Sequence, residues 1–199
     1  MAKLKIYSFP DDVLKQVARP VDHVDRKYFK ISDDMLETMY EAPGIGLAAN
    51  QVGLLDRIIV IDTDFKIEEP EDHEEHAGNF AKSGEVLDSG LIVNKKPRIM
   101  INPEIVLKEG ELIYCEGCLS VPEYTADVKR AEKIKVEYRD VDGKNQSLLA
   151  EGLLAVCIQH EIDHLDGKLF IDRLSPMKSQ MVKKKLIRLR AEEEGQDEN

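Results

Sequence analysis

An α+β fold, with mostly antiparallel sheets packed around one central helix and a further helix at the C-terminus, follows from three features of the chain. Short strand-like segments cluster ahead of residue 150, joined by turn signals and not by long helical crossovers. A helix apolar on most sides then runs between Gly152 and Asp166, which marks it as buried. A charged amphipathic segment from Ser175-Pro176 onward supplies the last helix.

In chain order, Ser32-Asp33 can cap a helix whose apolar positions Met35, Leu36, Met39 and Tyr40 keep helical spacing until Pro43-Gly44 stops it. Arg57 to Ile61 reads as a buried strand. Ile99–Ile101, Glu104–Leu107, Glu111–Tyr114, Lys133–Tyr138 and Gln146–Leu149 alternate or cluster as strands do, with Asp142-Gly143 as a hairpin turn. The central helix opens at Glu151-Gly152 and closes at Asp166-Gly167, a glycine suited to the left-handed turn after a helix. The last helix places Met181, Val182, Leu186 and Leu189 on helical spacing. No internal repeat is evident.

At 199 residues the chain suits one domain, 1–199, with a substantial core. Two segments stand apart from it. Residues 63–96 carry Glu68, Glu69, Glu71, Asp72, Glu74 and Glu75 followed by Gly78 to Gly84, and read as a mobile acidic insertion. Its His73 and His76 belong to a solvated acidic run, not to a metal site. The acidic tail near 192–199 is expected to be disordered. The formal charge of −11 argues against DNA or general nucleic-acid binding. No stretch has the roughly twenty apolar residues that cross a bilayer, and Met1-Ala2-Lys3-Leu4-Lys5 lacks a signal-peptide core. With only three cysteines, a reducing, cytoplasmic setting fits better than a disulfide framework.

Chemistry concentrates in the central helix. His160, Glu161 and His164 form HEIDH, and residues four apart share a helix face, so both imidazoles can converge on one divalent cation with Glu161 one step round. Chance spacing on a surface helix would leave these histidines solvated. The flanking Leu153-Leu154-Ala155-Val156-Cys157-Ile158 argues for burial instead, where two histidines and a glutamate without partners would cost several kcal/mol. Catalytic metal sites usually have three protein ligands, and HEIDH supplies two. The longer zincin pattern fails because Phe170 stands where its third histidine belongs, and Glu192 to Glu194 lie in a charged tail. A cysteine of Cys115-Glu116-Gly117-Cys118-Leu119-Ser120 is the better third ligand. Thiolate with two neutral imidazoles leaves a divalent ion one net positive charge, able to polarise a carbonyl and acidify water.

Three separated segments resemble the signature of the bacterial-type peptide deformylases: Gly44-Ile45-Gly46-Leu47-Ala48-Ala49-Asn50-Gln51, Glu116-Gly117-Cys118-Leu119-Ser120 and Gln159-His160-Glu161-Ile162-Asp163-His164. The similarity runs from about Lys5 to Ile61 and from Pro97 to Arg190. It implies a metal-dependent hydrolase that removes the N-formyl group from the formylmethionine of nascent proteins and releases formate. Carried over by position, it implies Cys118, His160 and His164 as ligands, Glu161 as general base and acid, and Gln51 and the Leu119 backbone N–H as oxyanion donors. It further implies a methionine slot and peptide contacts drawn from Gly44, Ile45, Gly46, Tyr114, Glu116, Leu153, Val156 and Cys157, although core packing and turn formation would explain several of these equally well. Iron(II) is the implied ion, with zinc, nickel or cobalt as substitutes. Thr125 stands where some relatives have arginine, so contacts beyond methionine do not carry over there.

Cys115 and Cys118 have CxxC spacing, but no second pair follows, and Cys115 is read as a bystander. Lys183, Lys184, Lys185, Arg188 and Arg190 on the last helix are either a solvated face or a contact to ribosomal RNA near the exit tunnel. The rival functions are an ordinary HExxH metallopeptidase and a noncatalytic metal-binding homologue. The first lacks the zincin extension, and the second has no need of Glu161 or Gln51.

Overall fold

Continuous apolar strands need cover on both faces, and alternating ones need it on one. In the computed structural model, which describes residues 3–68 and 91–197, strands of both kinds are present. The strands are β1 (Gly46–Ala48), β2 (Ile58–Ile61), β3 (Lys66–Glu68), β4 (Leu91–Val93), β5 (Arg98–Glu109), β6 (Leu112–Cys118), β7 (Val121–Arg130), β8 (Lys133–Arg139) and β9 (Asn145–Glu151). The helices are α1 (Lys27–Glu41), α2 (Gly152–Leu165) and α3 (Pro176–Asp197). One sheet has the order β1-β2-β5-β8-β9, and β3-β4 and β6-β7 form separate hairpins. Every pairing between these strands is antiparallel.

Helix α2 lies against the large sheet. Ala155, Cys157, Ile158, Ile162 and Leu165 pack with Ile59, Ile61, Met100, Ile134 and Val136 in one cluster. Helix α1 covers the other side of β2 through Met35, Met39 and Tyr40, against Leu47, Ile58, Val60 and Ile101. A third cluster joins β7 to α3, with Val121 and Val128 meeting Phe170, Val182 and Leu186. Helix α2 is therefore held by its back to a sheet, with one face turned toward the β6-β7 hairpin.

Several expectations change. The two segments from Ile99 and from Glu104 are one strand, β5, interrupted by a register shift between Ile101 and Glu104 where Asn102 takes φ 52. That bulge accommodates Pro103, which cannot donate to a regular ladder. Helix α1 starts at Lys27, ahead of Ser32, with Arg26 as its N-cap and the Lys27 N–H donating to Asp25 Oδ1 at 2.8 Å. Ser32 is instead buried inside the helix. Strand β7 was not expected: its inward positions Ala126, Val128 and Arg130 end on a charge, which hides the apolar alternation.

Among the described residues, α3 runs on through Asp197 and takes in most of the acidic tail. Glutamate and alanine are good helix formers, and Arg188 pairs with Glu192 one turn on at 3.2 Å. The ends of the 63–96 insertion form the β3-β4 hairpin, with Lys66 opposite Val93. Its acidic centre, with His73 and His76, lies outside the described residues.

Candidate metal centre

Helical periodicity turns His160 and His164 to the same side of α2, with ring centroids 5.0 Å apart and both residues buried. The third donor comes from another part of the chain. In the β6-β7 hairpin the register shifts between Glu116 and Cys118, and Cys118 pairs with Val121 across a tight turn. This sets Cys118 Sγ 3.2 Å from His164 Nε2. One donor atom from each of Cys118, His160 and His164 falls within 4.8 Å of the others. A tetrahedral ion with sulfur at about 2.3 Å and nitrogen at about 2.0 Å spaces its donors roughly 3.3 to 3.6 Å apart, close to the Cys118–His164 separation, so the set is near enough to hold such an ion. Burial and the nearby His160 push His164 well below its usual pKa, which favours the neutral imidazole that a metal requires.

The imidazole of His160 is oriented from behind. Its Nδ1 donates to Glu116 Oε2 at 2.7 Å, leaving Nε2 for the site. Glu116 in turn receives Nε and NH2 of Arg130 at 2.6 and 2.9 Å. Burial alone would raise Glu116, yet hydrogen bonds from Arg130 and His160 outweigh it and hold the carboxyl at about 2. Expected among the peptide contacts, Glu116 instead has both oxygens taken by Arg130 and His160. Arg130 NH1 continues to Asp163 Oδ2 at 2.5 Å, and Asp163 also accepts from Nε of Arg173 at 2.9 Å. Burial raises Asp163, but the two arginines more than reverse this and hold it below the usual carboxylate range.

Glu161 sits beside the three donors with Oε2 buried and no protein partner. Burial pushes its carboxyl up to about 7, the range of a group that both takes and gives protons near neutrality. Gly46 makes room for it: a Cβ there would lie 2.5 Å from Glu161 Oε1 and 2.8 Å from Cys157 Sγ. Gln51, buried in the 3-10 turn Ala49–Val52, has a fixed amide orientation. Its Oε1 accepts from the Ala48 N–H at 2.8 Å, and its Nε2 donates to Ser120 Oγ at 3.1 Å while lying 3.7 Å from Cys118 Sγ. Leu119 follows Cys118 in the hairpin turn, and its side chain stands so near Gly44 that a Cβ on that glycine would meet Cδ1 at 2.8 Å.

Residues 3–180 match the family model described as polypeptide deformylase. The chain belongs to the polypeptide deformylase family. It is 49% identical over 193 residues to peptide deformylase 2 of Xanthomonas campestris, covering 96% of this chain and 98% of that one. A crystal structure of a peptide deformylase from Legionella pneumophila aligns with TM-score 0.76 and 40% identity over 96% of this chain and 98% of that chain. A Synechococcus elongatus peptide deformylase in complex with actinonin aligns with TM-score 0.72 and 39% identity, covering 93% and 89%.

Within this deformylase fold Ile45, Tyr114 and Cys157, three of the expected slot residues, lie near one another. Cys157 Sγ donates to the Ile45 carbonyl at 3.5 Å, which ties α2 to the strand carrying Gly46. Tyr114 is half-buried; burial raises its hydroxyl pKa, with Cys115 and Cys157 adding to the effect. Val156 and Cys157 are buried, whereas Leu153, one turn earlier on α2, is only partly covered. Cys115 is exposed and three residues from the half-buried Cys118, so the strand turns them to opposite faces. Arg130, Arg173 and Ser120 were missed as site residues. Their only sequence signal was indirect: buried acids such as Glu116 and Asp163 require cations from somewhere.

Proposed function

We propose that Cys118, His160 and His164 hold one divalent ion, iron(II) by preference, and that Glu161, Gln51 and Leu119 carry out deformylation beside it. The chain is a hydrolase of the deformylase family, removing the N-formyl group from the N-terminal formylmethionine of nascent proteins. The convergence of the three donors next to an unpartnered buried carboxylate supports the residue assignments. Thiolate with imidazole suits iron(II), zinc, cobalt and nickel alike.

When bound, the ion supplies Lewis-acid polarisation and makes water acidic near neutral pH. Glu161 then accepts the proton of the water attacking the formyl carbon, its buried Oε2 having no protein partner to compete for that proton. The Gln51 amide, with its N–H side turned toward Cys118, and the Leu119 N–H donate to the oxygen on which negative charge develops. As the C–N bond breaks, Glu161 returns the proton to the amine, leaving formate and a free methionine terminus. Gly44 and Gly46 admit the peptide, and Ile45, Tyr114, Leu153, Val156 and Cys157 wall the methionine side chain.

Formate release from a formyl-methionyl peptide, measured on protein purified without air and assayed for metal, tests this reading. Stoichiometric metal that is lost in Cys118→Ala together with formate release is the expected result. Metal retained by that variant at the wild-type level would overturn the ligand assignment. A contact with the ribosome through α3 and a cytoplasmic location complete the proposal. Exposed Met177 and Met181 beside Lys184 and Lys185 support the first, and three unpaired thiols support the second. Ribosome pelleting of a chain lacking the α3 lysines tests the contact, with equal pelleting removing it.

A further inference from the structure

We infer that Arg173, outside all three signature segments, is a positioning residue for the metal centre, acting through Asp163, Arg130 and Glu116 on His160. The inference rests on the reading of Cys118, His160 and His164 as ligands.

The contacts form one unbroken line. Glu116 holds His160 Nδ1 at 2.7 Å, and Arg130 grips both oxygens of Glu116 at 2.6 and 2.9 Å. The third Arg130 nitrogen, NH1, reaches Asp163 Oδ2 at 2.5 Å. That same oxygen accepts from Arg173 Nε at 2.9 Å, while Arg173 NH2 pairs with Asp163 Oδ1. Arg130 is thus shared between two carboxylates whose side chains are 3% and 7% exposed. One buried guanidinium cannot balance two buried carboxylates. Arg173 supplies the second positive charge, and in a fork geometry that lysine cannot reproduce.

Without Arg173, Asp163 has Arg130 as its remaining cation partner in this line. Arg130 is then drawn toward Asp163 and away from the two-point hold on Glu116. The orientation of His160 depends on Glu116, so its loosening reaches a metal ligand directly. Partners behind a ligating histidine typically govern metal affinity by about 10- to 100-fold. Arg173 itself is anchored by its neighbour: Asp172 pairs with Lys183 of α3 and accepts from the Leu169 N–H at 2.8 Å. The short Phe170–Arg173 turn is therefore pinned on one side to the last helix and on the other to the metal helix.

The test compares the release of cobalt(II) from the loaded enzyme into excess chelator for wild type, Arg173→Ala, Arg173→Lys and the control Arg188→Ala. Arg188 contacts Glu192 on the surface of α3. Arg173→Ala is expected to release metal about tenfold faster and to shift the visible cobalt spectrum, with Arg173→Lys in between and Arg188→Ala unchanged. A merely structural role would lower the unfolding temperature of the metal-free protein without altering the spectrum of the loaded one. Release and spectra of Arg173→Ala and Arg173→Lys equal to wild type overturn the inference. If Arg173→Ala does not fold, Arg173→Lys with wild-type release and spectrum overturns it alone. Wild-type protein that binds no cobalt overturns the ligand reading itself, and this inference with it.

Discussion

A Cβ placed on Gly46 would stand 2.5 Å from Oε1 of Glu161. The strand that is proposed to admit the peptide and the carboxylate proposed to move protons are therefore in backbone-to-side-chain contact, with no space for a methyl group. Gly46→Ala should displace Glu161, with a loss of formate release on the order of a hundredfold and of stability by about 2 kcal/mol. Steady-state kinetics and denaturant melts read both, and a fully active alanine variant would refute the contact.

Glu161→Gln keeps shape and removes basicity. Metal content should remain at one per chain while formate release falls by about a thousandfold. Metal analysis beside the activity assay separates this from a lost ligand.

Gln51→Ala removes an amide whose two ends are fixed by Ala48 and Ser120. The rate constant kcat should fall about a hundredfold, with KM little changed and metal retained, because the proposed donor acts on charge that develops only in the transition state. A change confined to KM would place Gln51 in substrate binding instead.

Acid should unfold the metal-free protein through Glu116. Its carboxyl is held at about 2, below its ordinary 4.5, so the folded state binds this proton less readily than the unfolded state does. The stabilisation is complete above about pH 4.5 and is lost as pH falls toward 2, a difference on the order of 3 kcal/mol. Denaturant midpoints measured between pH 6 and pH 3 should show the fall, and Glu116→Gln should flatten it.

Gly167 ends α2 at φ +70, and a Cβ there would strike the carbonyl oxygen of Lys15. Gly167→Ala should cost about 2 kcal/mol, by strain and by pushing away the N-terminal segment. Thermal melts with and without metal give the value.

Much of this was legible in the chain because local chemistry was enough. The HEIDH spacing, the apolar flanks and the closing Gly167 each act within a turn or two of helix, and α2 forms where they place it. The strand at Arg57–Ile61 is likewise a continuous apolar run, visible without knowing what covers it. Residues whose role depends on distant partners were not legible. Arg130 looks like an ordinary charge at the end of a polar segment until the hairpin register brings it to Glu116 and Asp163. Glu116 was placed among the peptide contacts by resemblance, whereas the fold turns its carboxylate behind His160. The start of α1 was misplaced for a related reason: Ser32 resembles a cap in isolation, but the helix already begins at Lys27, whose N–H donates to Asp25.

The three proposed donors come from two separate parts of the fold, a hairpin tip and a helix face. An ion held by all of them would join those parts like a rivet, and its grip would depend on the hairpin being docked. A chain with that hairpin undocked would then carry the motif letters and yet remain inert toward the newborn proteins around it.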